Sequence, residues 1–180
     1  MNDMDQPEKV CWEGDWIVAK KRGRWEYVSR SRSIRAAVIL AVDDGHVLLV
    51  EQYRTPLSKP CIELPAGLIG DDDGSEGEHA LDAAGRELEE ETGYRADRLI
   101  DAGEFMSSPG MVTESFTLVI AKGLTRVGPG GGTESEDITV HRVPLDAIGA
   151  FIDGQRNAGK AIDVRMLMLL SADLLKLAKA

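Results

Sequence analysis

Residues 86–94 read Arg-Glu-Leu-Glu-Glu-Glu-Thr-Gly-Tyr, with Glu78 eight positions before Arg86. An α-helix turns about 100° per residue, so Glu87, Glu90 and Glu91, at i, i+3 and i+4, project from one face. Glu89 points away from it. Leu81, Ala84 and Leu88 form a separate apolar stripe suited to burial against a sheet. Arg86 and Glu90 are spaced to pair, and Gly93 suits the left-handed residue that ends a helix. Three carboxylates on one patch repel each other and add little to a surface helix. Hard oxygen donors suit Mg²⁺ or Mn²⁺, and an unfilled shell leaves room for water and phosphate oxygens. The competing reading is a solvated acidic face, the usual role of a Glu-rich run. The linked positions of Gly67, Glu78, Gly93 and Tyr94 favour the metal site.

The charge distribution agrees. Between Asp71 and Glu91 stand ten acidic residues and one arginine, while the whole chain carries a net charge of −10. The acidity is therefore local and the remainder nearly neutral, which argues against nucleic-acid binding. No apolar run approaches a membrane span. The first ten residues are polar and acidic, unlike a signal peptide, so a cytoplasmic location is expected. Cys11 and Cys61 make no disulfide framework and read as free thiols, with Cys61 buried in an apolar strand.

Around the acidic helix, expected over 78–92, the chain alternates short strand patterns with turns. Strands are expected at 16–19, 25–28, 34–42, 47–54, 61–64, 99–105, 116–121 and 138–143. Asp43-Asp44-Gly45 marks a hairpin. Leu64 to Gly67 read as a turn, and 128–132, Gly-Pro-Gly-Gly-Gly, as a freely moving loop. Helices are expected over 144–153, with Pro144 near the first turn, and over 162–177. Many strands with few helices indicate an α+β fold, a mixed sheet sandwiched by helices. At 180 residues one main domain suffices.

Glu78 and residues 86–94 resemble the box of the Nudix hydrolase family: Gly, five residues, Glu, seven residues, then Arg-Glu-apolar-x-Glu-Glu-x-Gly-apolar. Here ten residues, 68–77, separate Gly67 from Glu78 where the family has five. This Gly- and Asp-rich insert reads as a lengthened loop in which Asp71 to Asp73 are solvated. The resemblance implies a Nudix-type α/β/α sandwich over 34–180, with residues 1–33 as an N-terminal strand extension and dimerisation element.

Flanking segments resemble the ADP-ribose pyrophosphatase branch, over roughly residues 12–175. These are Gly23-Arg-Trp-Glu-Tyr-Val28, Glu51-Gln-Tyr-Arg54, Glu63-Leu-Pro-Ala-Gly67, Ser108-Pro109-Gly110 and Glu134-Ser-Glu-Asp-Ile138. The resemblance implies hydrolysis of the diphosphate of ADP-ribose, or a similar nucleoside diphosphate sugar, to AMP and ribose 5-phosphate. It places Mg²⁺, or Mn²⁺, on Glu87, Glu90 and Glu91, with the Ala66 carbonyl and Glu136 completing the shell. Glu134 is then the general base, with Glu114 as its alternative. Arg86 orients the box glutamates, and Glu78 is structural. For substrate contacts, Arg54 either forks a phosphate or sits exposed at a strand end. Trp25 either stacks on adenine or packs at a core or dimer interface. Glu63 bonds either the ribose-phosphate region or backbone, and Pro109-Gly110 forms either a substrate loop or a plain turn. The same box serves other nucleoside diphosphate derivatives. A non-hydrolysing ADP-ribose-binding module is the remaining alternative, and the intact box opposes it. The branch implies a homodimer with exchanged N-terminal strands.

Overall fold

The computed structural model describes residues 3–31, 35–70, 77–133 and 136–177; Ile34, Asp71 to Asp73 and Glu134 lie outside them. Three antiparallel strands, β1 (Lys9–Glu13), β2 (Ile17–Arg22) and β3 (Trp25–Arg30), form an N-terminal sheet. The main sheet contains β4 (Arg35–Asp43), β5 (His46–Arg54), β6 (Lys59–Glu63), β7 (Ala66–Ile69), β8 (Tyr94–Met106), β9 (Ser115–Arg126), β10 (Ile138–Pro144) and β11 (Ala161–Ile162). The helices are α1 (Ala80–Thr92), α2 (Ile148–Asn157) and α3 (Leu167–Leu177).

Period-two alternation along the central strands builds a core on each face. Ala37, Ile39 and Ala41 of β4 meet Ala83, Ala84 and Leu88 of α1. The intervening Val38, with Val47 and Leu49 of β5, meets Ile148 and Ile152 of α2, then Met166 and Leu170. Helices therefore cover both faces of a mixed sheet: β4–β9 and β6–β11 are parallel and the remaining pairs antiparallel. This is the expected α+β sandwich, and the stripe of Leu81, Ala84 and Leu88 packs on the sheet as expected.

The topology opens a gap in the sheet. β4 and β5 pair only beside their hairpin, Val42 with Val47 and Asp43 with His46. Beyond that they part, and β7 takes the freed edge of β4 while β6 and β10 flank β5.

Four local expectations are corrected. β1 precedes the two N-terminal strands that the aromatic pattern marks. Residues 66–69 form strand β7 rather than a turn, because β4 supplies a pairing edge that the short Ala-Gly-Leu-Ile run does not announce. The expected helix over 162–177 is interrupted. Ala161 and Ile162 pair with β6, and the Asp163 carboxylate accepts the Arg165 N–H to start a 3-10 turn before α3.

The glycine-rich loop is the fourth. It is not free but seals the C-terminal end of α1. The N–H groups of Gly131 and Gly132 donate to the carbonyls of Glu91 and Glu90, at 2.8 and 3.0 Å, and those of Val127 and Gly128 donate to Gly93. These satisfy acceptors that a helix end leaves without intrahelical partners. A Cβ on Gly130, whose φ is +70°, would stand 2.5 Å from the Thr92 carbonyl carbon. Gly130→Ala is therefore expected to lower unfolding free energy by about 2–4 kcal/mol in urea titrations. An unchanged midpoint would mean that this backbone contact is not formed.

Candidate active site

Where β4 and β5 part lies a cavity of about 560 Å³, walled by β5 (Gln52, Arg54), β6 (Cys61, Glu63), β7 (Ala66, Gly67, Leu68) and α1 (Glu87, Glu91). Arg30, Glu114, Glu136, Asp163 and Arg165 complete the charged part of its lining. The volume suits a small-molecule ligand.

Glu91 is the deepest of the box carboxylates, only 4% exposed. It accepts the Ala66 N–H at 3.0 Å. That donor is available because the Pro65 carbonyl accepts the Ile39 N–H and locks the entry to β7. Burial drives the Glu91 pKa up to about 8; the Ala66 N–H and Arg54 pull it down, while Glu87 and Glu136 push it up. Glu87 lies across the backbone of Gly67, where any Cβ would collide with its carboxylate. The glycine at the head of the box thus leaves the space that the Glu87 side chain occupies.

Arg86 organises this wall without lining the cavity. It donates to Glu87 at 2.8 Å, to Glu78 and Glu90 at 3.5 Å, and to the Leu68 carbonyl at 3.4 Å. Burial works against its charge, but Glu87 and Glu78 more than offset that and raise its pKa. Glu78 stands two residues before α1 and accepts the Gly70 N–H, pinning the start of the 68–77 insert. Glu90 is turned toward Arg86 and is absent from the cavity lining.

Among the described residues, no three His, Cys, Asp or Glu side chains already converge as an ion-binding group. The donor set still suits a hard divalent cation: Glu87 and Glu91 share one wall with Ala66, and Glu136 lines the same cavity. Glu136 is held by the Thr133 N–H and hydroxyl at 3.0 and 3.2 Å. Glu134, the expected base, lies outside the described residues. Glu114, its alternative, lines the cavity and is bound by Arg30 at 2.7 Å.

Arg54 forms a fork with Glu63, at 2.6 and 2.9 Å. Glu63 is 3% exposed and lines the same cavity. The Cys61 thiol is pushed up to about 12, by burial first, and is no nucleophile. Trp25, Pro109 and Gly110 line a second hollow, with Tyr27 and Arg22, that shares no residue with the carboxylate cavity. Trp25 is 51% exposed there, not a core residue. Sequence reasoning missed Arg30, Asp163 and Arg165. The strand-end position of Arg30 and the Asp-x-Arg spacing at 163–165 were the only local signals.

Residues 31–163 match the model of the NUDIX domain. The chain belongs to the NUDIX domain family. It is 34% identical to the ADP-sugar pyrophosphatase of Mus musculus over 173 residues, 79% of this chain and 77% of that one. It is 35% identical to the methanol dehydrogenase activator of Bacillus methanolicus, over 76% of this chain and 72% of that one. The match to the ADP-ribose pyrophosphatase of Bacillus subtilis (strain 168) is 39% identical, over 49% of this chain and 45% of the relative. A crystal structure of an ADP compounds hydrolase shares the fold, with a TM-score of 0.70, 21% identity, and coverage of 97% and 95% of the two chains.

The raised Glu91 pKa has a consequence for stability. Between about 4.5 and 8 the folded, cation-free protein holds a proton that the unfolded chain releases. Its stability should therefore fall as pH rises through that window. A divalent cation competes with that proton, so stabilisation by Mg²⁺ should grow over the same range. Urea titrations at several pH values with and without Mg²⁺ check this; a Mg²⁺ effect independent of pH would contradict it.

Proposed function

We propose that the protein hydrolyses the diphosphate bond of ADP-ribose, or of a similar nucleoside diphosphate sugar, to AMP and ribose 5-phosphate. The observation that carries this reading is one cavity with a buried carboxylate wall on α1 and arginines on the opposite strands. The ADP-sugar pyrophosphatase relative, matched over most of both chains, supports it.

Glu87, Glu90, Glu91 and Glu136, with the Ala66 carbonyl, would hold Mg²⁺, with Mn²⁺ as a substitute. When bound, the cation neutralises charge on the diphosphate and makes water more acidic. Glu90 would have to leave Arg86 to join the other carboxylates. Arg86 holds Glu87 on the cavity wall, a positioning role. Arg54 presents its remaining guanidinium edge to a phosphate oxygen while Glu63 holds its plane. Water attacks one phosphorus, the bridging P–O bond breaks, and Glu134 accepts the proton of the water. On either side of Glu134, Gly132 is bonded to the end of α1 and Thr133 holds Glu136.

Trp25, Pro109 and Gly110 are assigned to the nucleobase. Within one chain their hollow is separate from the cavity, so this assignment calls for a second copy. The N-terminal element, residues 1–33, supplies it in our reading: β1 is exposed along its length, and Trp12, Trp16 and Trp25 are each more than half exposed. Residues 34–180 form the hydrolase domain. Among the described residues no helix is long and apolar enough to cross a membrane, and we place the enzyme in the cytoplasm.

Two measurements test the reading. With Mg²⁺, wild type should release AMP from ADP-ribose ahead of other nucleoside diphosphates, and Glu91→Gln should lose about a hundredfold or more in kcat. Preference for a different diphosphate would overturn the substrate, and an active Glu91→Gln would overturn the site. Light scattering after size exclusion should give twice the 19.6 kDa of one chain; a single-chain mass would remove the dimer.

A further inference from the structure

The far wall of the cavity contains a charge arrangement that the hydrolytic scheme leaves unexplained. β11 runs parallel to β6 with Ile162 beside Ile62, and the Asp163 N–H donates to the Ile62 carbonyl at 3.0 Å. This register carries the chain on so that Asp163 and Glu63 follow the paired residues side by side. Two carboxylates leaving the sheet together would repel each other. Arg165 bridges them: its Nε and Nη2 fork Asp163 at 2.6 and 2.9 Å, and Nη2 reaches Glu63 at 3.2 Å. Its guanidinium also lies 5.9 Å from the Phe116 ring centroid, a cation–π contact that fixes its plane. Met166, fully buried, and Leu170 anchor the segment that follows.

Glu63 is thereby held from both sides. Arg54 uses Nε and Nη2 on it, and Arg165 uses Nη2. Both arginines line the cavity that contains Glu91. The four groups together are electrically neutral, which lets a buried carboxylate persist so near the acidic wall of α1. Without Arg165, Glu63 would keep Arg54 as its one charged partner among the described residues, stand beside an uncompensated Asp163, and lose the bond that fixes its second side.

We propose that Arg165 is a positioning residue for the diphosphate: it locks Glu63 in place and thereby aims Arg54 at a phosphate of the substrate. The inference rests on the diphosphate reading above. It assigns a binding function to the end of the β11 crossover, 102 residues from Glu63 in sequence. An arginine is required because a lysine cannot fork Asp163 and bridge to Glu63 at once.

Steady-state kinetics on ADP-ribose with Mg²⁺ test it in Arg54→Met, Arg165→Met, the double variant and Arg165→Lys. Arg165→Met should raise KM about 10–100-fold with kcat changed by about threefold or less. The double variant should be no worse than Arg54→Met, because Arg165 acts through Arg54. Arg165→Lys should fall between wild type and Arg165→Met, and it carries the test if Arg165→Met does not fold. An unchanged KM in the folded Arg165 variants, or losses that multiply in the double variant, would overturn the proposal. A residue needed only for folding would lower the melting temperature and the active fraction and leave KM alone. Should wild type not turn over ADP-ribose, the substrate reading fails by itself. The same four proteins are then compared by calorimetry for inorganic pyrophosphate in the presence of Ca²⁺. A loss of affinity in Arg165→Met that does not add to that of Arg54→Met keeps the inference, and equal affinities, or none in wild type, sink it.

Discussion

One buried carboxylate organises this molecule. Glu91 sits at the end of α1, where it accepts a backbone N–H from Ala66 and, among the described residues, has no cationic side chain bonded to it. A carboxylate in that setting is expensive to ionise, and much of the nearby structure serves to keep it there. β7 must lie on the edge of β4 to offer the Ala66 N–H. Gly67 leaves room for Glu87 to lie beside it. The 127–132 loop must close on the end of α1, which brings Glu136 to the same cavity. A fold optimised for stability alone would put an apolar residue at position 91. The retained cost is what a cation and a diphosphate would relieve.

The cavity then divides its charge by element. α1 supplies acids, restrained by Arg86 on the side away from the cavity. β3, β5 and the crossover after β11 supply Arg30, Arg54 and Arg165, each already bonded to a carboxylate. Pre-paired arginines are held in plane before any ligand arrives, which reduces the entropy lost on binding. Arg30 also ties the N-terminal sheet to the cavity. Its partner Glu114 ends the 107–114 loop, and β3 exchanges backbone hydrogen bonds with Met111 and Thr113. The site and the N-terminal element are therefore mechanically connected within one chain.

What could be read from the sequence was local. Helical spacing put Glu87 and Glu91 on one face and Leu81, Ala84 and Leu88 on another, because both depend only on the turn of a helix. The main strands were legible from their alternation. β7 was not, since its conformation comes from β4 and not from its own residues. The glycine loop was misread as mobile because close backbone approach and freedom demand the same residue. Arg30–Glu114 and Arg165–Glu63 join positions 84 and 102 apart, and no local pattern marks such pairs. Trp25 and Pro109 were grouped with the carboxylates by resemblance, whereas one chain folds them into a separate hollow.

The buried end of α1 offers Glu87 and Glu91 to a divalent cation. Anomalous diffraction from a crystal soaked in Mn²⁺ tests it most directly. A peak is expected between the carboxylates of Glu87 and Glu91, with Arg86 drawn off Glu90. Mn²⁺ found only at the 68–77 insert, or a crystal with no peak beside Glu91, would contradict it.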